Sequence, residues 1–253
     1  MREPRIRVYG IPLSHPVLAA RGMLEHKGLE YRYVELLAGA HPPSLWALGF
    51  RRITVPAMRL GDGRRVQGSL AIPRALEALV PDPPLYPVEP RARVAAEGAE
   101  RWGEAVLQPI PRRLTRWGLR SSLRQRQWFA DVGTPLPAPA LMGRLLWPLA
   151  PVFAVLAKAD DDTVRADVAG LPAVLDEVDR LLAAGVIGGD QLGAADFQIG
   201  SSVRALLAME DVGRLVAGRP AEAFARRMVP SYPTIPAVLP AEWLLAASGV
   251  QSE

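Results

Sequence analysis

The sequence predicts an α/β domain built on a four-stranded mixed sheet, followed by an all-helical domain. Three observations predict it. Strand and helix patterns alternate as βαβ and then ββα over the first 80 residues, a proline-rich break follows, and only helical periodicity comes after it. The expected division is residues 1–80 for the first domain, 81–90 for a linker and 91–253 for the second.

Each element has a local cause. Ile6-Arg7-Val8-Tyr9 alternates as a strand does, and Ser14-His15-Pro16 offers a capping residue and a proline for a first helical turn. The spacing predicts a helix from Pro16 to Lys27, with Leu18, Arg21 and Leu24 recurring around Ala19, Ala20 and Met23, closed by Gly28. Tyr31 to Leu37 reads as the second strand, and Gly39 to Arg52 as irregular. Val55 to Leu60 is a strand entered through Pro56, Asp62-Gly63 is a hairpin turn, and Arg64 to Gln67 returns. Ser69 then caps a helix with Leu70, Ile72, Ala75, Leu76 and Leu79 on one side. A right-handed first crossover makes the sheet mixed.

Pro81-Asp82-Pro83-Pro84-Leu85-Tyr86-Pro87 cannot continue a helix or join a sheet interior. Beyond it, helices are expected over 91–107, 112–129, 141–158 (interrupted by Pro148 and Pro151), 163–184 and 194–209, with loops at 133–139 and 230–240.

Composition narrows the chemistry. Of 253 residues 49% are apolar, enough for a sizeable core, and none is cysteine, which excludes disulfides, Cys-ligated metals and a Cys nucleophile. Thiol chemistry, if present, has to come from a ligand. His15, His26 and His41 lack metal-ligand spacing, so no metal is expected, and no phosphate-binding glycine loop or Gly-x-Ser-x-Gly elbow occurs. The charged start and the lack of a long uncharged apolar run lead to the expectation of a cytoplasmic chain without a membrane span. Residues 1–130 carry a net +10 and residues 131–253 a net −6. Only Lys27 and Lys158 are lysines, so the basic character is an arginine bias and not in itself a nucleic-acid signature.

Four local patterns stand out: Tyr9-Gly10-Ile11-Pro12-Leu13-Ser14-His15-Pro16 leading into a helix that ends near Gly28; Thr54-Val55-Pro56-Ala57-Met58; Val66-Gln67-Gly68-Ser69-Leu70-Ala71-Ile72; and Gly193-Ala194-Ala195-Asp196. In this order and spacing they resemble the glutathione transferase superfamily. The resemblance implies a thioredoxin-like N-terminal domain, an all-helical C-terminal domain and a thiol site. Ser14 falls where serine-type members keep the hydroxyl that hydrogen-bonds the glutathione sulfur; as a residue it reads equally well as a plain helix cap. Tyr9 is the alternative hydroxyl, although its position beside Arg7 favours packing on the sheet. Pro56 fits the family's cis-proline, which presents Val55 to the tripeptide as an added strand would. Ser69 fits the residue that holds the γ-glutamyl carboxylate, or a simple cap. Gly68 stands where the family has Glu or Asp, with Gln67 as a partial substitute. Asp196 is expected to be structural, reaching back to free N–H groups at the start of its helix.

The implied function is an enzyme that activates a bound thiol, glutathione or a relative, for attack on a hydrophobic electrophile. Glutathione would be a co-substrate, with no tightly bound cofactor, and the chain a homodimer held mainly by the apolar stretch Leu145 to Ala157. The alternative is a non-catalytic binding protein of the same fold whose ligand site has decayed. One feature falls outside this scheme: six arginines between Arg112 and Trp128 without one acid, four of them spaced i, i+4. They read as a solvated face paired with acids such as Asp160, Asp161 and Asp162, in preference to an anion, lipid or nucleic-acid surface.

Overall fold

The computed structural model describes residues 5–133, 138–145 and 147–247. Strand β1 (Ile6–Gly10) pairs in parallel with β2 (Tyr31–Glu35), because helix α1 (His15–His26) carries the chain back between them. Strand β3 (Ala57–Arg59) runs antiparallel to β1 and β4 (Arg65–Gln67) antiparallel to β3, giving the order β2-β1-β3-β4. At the β3–β4 hairpin Gly63 supplies a positive φ of 90°, and the Asp62 carboxylate accepts the Arg64 N–H at 2.9 Å.

Period-two alternation sorts the side chains. Ile6, Val8, Met58 and Leu60 pack with Ala20 and Leu24 of α1 and with Ile72 and Leu76 of α3 (Ala71–Leu79). Tyr9, Ile11 and Ala57 pack on the other face with Phe50 and with Leu45 of α2 (His41–Ala47). This second helix lies in the stretch read as irregular. Its prolines fall in the first turn, where the missing N–H costs nothing, so they do not break it.

The expected linker is fastened in place. Lys27, buried at the end of α1, donates from Nζ to the Glu77 carboxylate at 2.9 Å and to the carbonyls of Val80 and Pro83 at 2.5 and 2.7 Å. Leu85 and Tyr86 are buried, and the Leu85 carbonyl accepts the Ala194 N–H at 2.9 Å.

The helical domain begins with α4 (Pro90–Trp102), which widens into a π-helical turn over Gly103–Leu107 before α5 (Pro109–Ser121). After α5 come α6 (Leu123–Trp128), α7 (Pro139–Leu145), α8 (Ala150–Ala157), the long α9 (Asp161–Ala183) and α10 (Ala194–Leu207). Short helices α11 (Gly213–Val216), α12 (Pro220–Met228) and α13 (Ala241–Ala247) follow.

The helix expected over 112–129 is two helices. Ser122 leaves helical geometry at φ −126°, ψ 123°, and its hydroxyl accepts the Gln125 N–H to cap α6. The stretch 141–158 is likewise two helices, α7 and α8, meeting at 64°, where its prolines were expected to interrupt it. Residues 134–137 of the expected loop and residue 146 lie outside the described residues. Among the described residues no single helix is long and apolar enough to cross a membrane.

Helix α10 is buried from Ala194 to Leu206 and joins the two domains by lying against α1. The approach is close: a Cβ on Gly22 of α1 would stand 2.8 Å from the Phe197 ring. Asp196 anchors the start of α10, accepting N–H groups from Gly188 at 2.6 Å and Gly193 at 2.8 Å. Glycine at the cap has no side chain to return the bond, so the box is one-sided.

Candidate active site

The loop from β1 into α1 forms one wall of an interdomain cavity of about 450 Å³. Ser14 lines it at the N-terminal end of α1, half-buried and in extended conformation (φ −74°, ψ 106°), and its side chain makes no capping hydrogen bond. The hydroxyl therefore stands at the positive end of a 12-residue helix without being spent on the helix itself. Leu13, at φ 59°, shapes this turn, and its carbonyl accepts the buried Tyr232 hydroxyl at 2.6 Å, a bond from the far domain.

Gln108 is the second tie between the domains. Its backbone carbonyl lies 3.2 Å from His15 Nε2, and its side-chain oxygen accepts the Ser69 hydroxyl at 3.1 Å. With a carbonyl as its partner, Nε2 carries the proton of a neutral imidazole. Burial first, and then the Arg112 charge, hold the His15 pKa down to about 3.

The Val55–Pro56 peptide is cis, and Val55 lines the cavity. Gly68 and Ser69 also line it, but Gln67 does not. The Gln67 amide is consumed in fastening the preceding loop: Oε1 accepts the Arg52 N–H at 3.0 Å, and Nε2 donates to the carbonyls of Arg52 and Thr54 at 2.7 and 2.8 Å. It shapes the loop that carries Val55 and does not stand in for a ligand-binding carboxylate. Ser69 does not cap α3, whose first residue is Ala71 and whose cap, Leu70, has no side-chain bond. Gly68 sits at φ +104°, where a side chain would be strained, and a Cβ there would meet the Arg52 guanidinium at 3.3 Å. The wall thus presents an arginine where the resemblance implied an acid. Tyr9 is in the core, edge-on to Phe50 with ring centroids 5.5 Å apart, and does not line the cavity.

The opposite wall comes from α5 and α8. Arg112, Thr115 and Arg116 line it from α5, and Phe153, Leu156 and Ala157 from α8, with Trp128 and Phe129 nearby. The arginine ladder therefore divides. Arg113 is bidentate to Asp167, with Nη2 to Oδ1 at 2.6 Å, and Arg120 pairs with Asp161, which also accepts from Trp117 Nε1 at 2.8 Å. Arg126 is buried, donating to the carbonyls of Leu119, Arg120 and Gly143. The pairing of Arg120 with Asp161 matches the solvated-face reading, whereas Arg112 and Arg116 do not follow it. Among the described residues neither forms an ion pair, and Arg116 stacks over Phe153 at 5.4 Å. Burial, then Arg112, lowers the Arg116 pKa to about 10, and burial, then Arg116, lowers that of His41, which lines the cavity from the start of α2.

A βαβ–ββα domain and a helical domain that meet at a cleft, lined by Ser14 at the first helix and by Val55 of the cis Val55–Pro56 peptide, define the class: a thioredoxin-like domain joined to an all-α domain. Residues 8–84 match the family model described as glutathione S-transferase, N-terminal domain. No curated protein matches the chain. Among solved structures it is similar to poplar glutathione transferase F1 (18% identity, 98% of this chain and 99% of that one, TM-score 0.61). It is also similar to glutathione transferase F7 from Populus trichocarpa (17%, 98% and 100%, TM-score 0.60) and to the β-etherase LigF from Sphingobium sp. strain SYK-6 (20%, 91% and 97%, TM-score 0.59). At these identities the likeness is one of fold.

Proposed function

We propose that this protein binds a thiol, glutathione or a relative of it, in the interdomain cleft, activates it at Ser14 and directs it at an electrophile, as a cytoplasmic homodimer. The observation that carries the reading is the Ser14 hydroxyl, unspent as a cap and lining the cavity at the start of α1. The hydroxyl donates a hydrogen bond to the sulfur, and the helix end adds partial positive charge; both favour thiolate over thiol. A free thiol with a pKa of about 8.5 is roughly 3% ionised at pH 7, and a lowering of two units raises that to about 75%. The sulfur lone pair forms the new S–C bond while the electrophile's leaving group, or its π pair, takes the displaced electrons; the thiol proton goes to water.

The thiol's other end meets changed chemistry. Arg52 beside Gly68 favours a carboxylate there, and the Ser69 hydroxyl is already engaged by Gln108. A thiol rich in carboxylate suits this wall better than one relying on an ammonium partner. The same two observations favour the second reading, a binding protein of this fold without catalysis.

The test is conjugation kinetics with wild type and Ser14→Ala. The expected outcome is a loss of roughly ten- to hundred-fold in kcat/KM at pH 7, with the thiol's kinetic pKa moved up by about one unit. Full rate in the alanine variant would remove Ser14 from the mechanism. Calorimetry with glutathione separates the two readings: saturable binding without turnover of any electrophile supports the second.

A further inference from the structure

Two arginines of α5, Arg112 and Arg116, line the cavity without an ion-pair partner among the described residues. Helix α5 satisfies its outward arginines with carboxylates of α9, Arg113 with Asp167 and Arg120 with Asp161. Its cavity-lining arginines, Arg112 and Arg116, form no ion pair among the described residues, although Glu104 lines the same cavity and acts on the Arg112 charge. Arg112 and Arg116 are four residues apart, so they sit one above the other on a single face of the helix. Burial and then the Arg112 charge lower the pKa of Arg116, while burial and Arg113 lower that of Arg112 and Glu104 raises it; an anion beside Arg116 relieves the repulsion it meets.

The surroundings define the rest of the occupant. The Arg116 guanidinium lies over the Phe153 ring at 5.4 Å, a cation–π contact that is compatible with N–H donation to an oxyanion. Beyond it the wall is apolar, made by Phe153, Leu156, Trp128 and Phe129. A cavity of about 450 Å³ is within the range of small-molecule sites.

We propose that the acceptor bound opposite the thiol is an amphiphilic organic acid, its carboxylate or sulfonate held by Arg112 and Arg116 and its apolar body lying against Phe153 and Leu156. This rests on the reading of the cleft as a thiol-transfer site and adds the charge of the second substrate. It makes Arg112 and Arg116 specificity-determining residues that select acidic electrophiles over neutral ones of the same shape.

The experiment is a fluorescence titration without thiol, using a matched pair of probes: 8-anilino-1-naphthalenesulfonate and its desulfonated counterpart N-phenyl-1-naphthylamine. Wild type is expected to bind the sulfonate at least about tenfold more tightly than the neutral probe, with added salt weakening only the former. The double variant Arg112→Gln/Arg116→Gln is expected to lose that preference while keeping its affinity for the neutral probe. Arg113→Gln/Arg120→Gln removes equal charge from the outer face and is expected to retain it. The proposal is overturned if wild type shows no preference, if the preference survives in the inward variant, or if it falls equally in the outward one. Arg112→Gln alone, expected to lose a severalfold part of the preference, serves if the double variant does not fold. With no thiol present, failure of conjugation at Ser14 leaves this result standing, and loss of the anion preference leaves thiol activation standing.

Discussion

His15 sits next to the candidate nucleophile-binding hydroxyl, yet its ring works for the fold. It is buried, donates from Nε2 to the Gln108 carbonyl across the domain boundary, and is held neutral with a pKa of about 3 against an ordinary 6.5. Between those values the unfolded chain binds a proton that the native ring does not, so stability rises with pH and is lost as pH falls from about 6.5 toward 3. This site alone contributes up to about 1.4 kcal/mol per pH unit in that window. Urea denaturation of wild type and His15→Asn at pH 7 and pH 5 is expected to show the wild type losing more stability on acidification than the variant. Equal losses would mean that His15 does not titrate with folding. The residues of the cleft were unevenly legible. Ser14 announced itself by the strand, turn and Ser14-His15-Pro16 start of a helix, all local. Gln108 and Tyr232 carry no local signal, because their partners His15 and Leu13 lie 93 and 219 residues away in sequence. Gln67 turns to the backbone of Arg52 and Thr54 and not to the ligand space, a saturation of its amide that sequence does not show.

At the scale of elements, α10 is the joint of the molecule, buried along nearly its whole length and pressed against α1. Its start depends on Asp196, which is 3% exposed and satisfies the N–H groups of Gly188 and Gly193. Replacing it with alanine removes the partner of both part-buried donors. Asp196→Ala is therefore expected to destabilise the protein by about 2–3 kcal/mol in urea or thermal unfolding, with little change in the cleft's chemistry. A change under about 0.5 kcal/mol would show that water replaces the carboxylate at no cost. This cap was readable because its signal spans only three residues, and α9 because its apolar stripe is long and uninterrupted. Helices α2, α12 and α13 escaped notice because they are short, with prolines at or near their starts, so the pattern gives too few turns to register. The break in the arginine helix at Ser122 has a physical mark in hindsight: serine pairs readily abandon helix interiors for caps.

At the scale of the whole molecule, the described residues include an apolar surface open to water. Along α8 and the segment before it, Trp147, Val152 and Val155 are between 52% and 76% exposed, while Phe153 and Leu156 of the same helix line the cavity. Helix α8 is thus a single-helix wall, wetted on its apolar outer side and lining the proposed acceptor site on its inner side. A second copy covering that side would remove the apolar patch from water and stiffen the wall behind the acceptor. The opposite charges of residues 1–130 and 131–253, net +10 and −6, would guide the approach of the two copies more than hold them. The expected species in light scattering at micromolar concentration is a dimer of about twice the 27.4 kDa chain mass, persisting at roughly 1 M salt, where charge attraction is screened to within about 3 Å. Val155→Glu, at the most exposed of these positions, is expected to shift it to monomer. A wild type that remains monomeric removes the dimer; a dimer that dissociates in salt, or that Val155→Glu leaves intact, keeps the assembly but moves its interface away from α8.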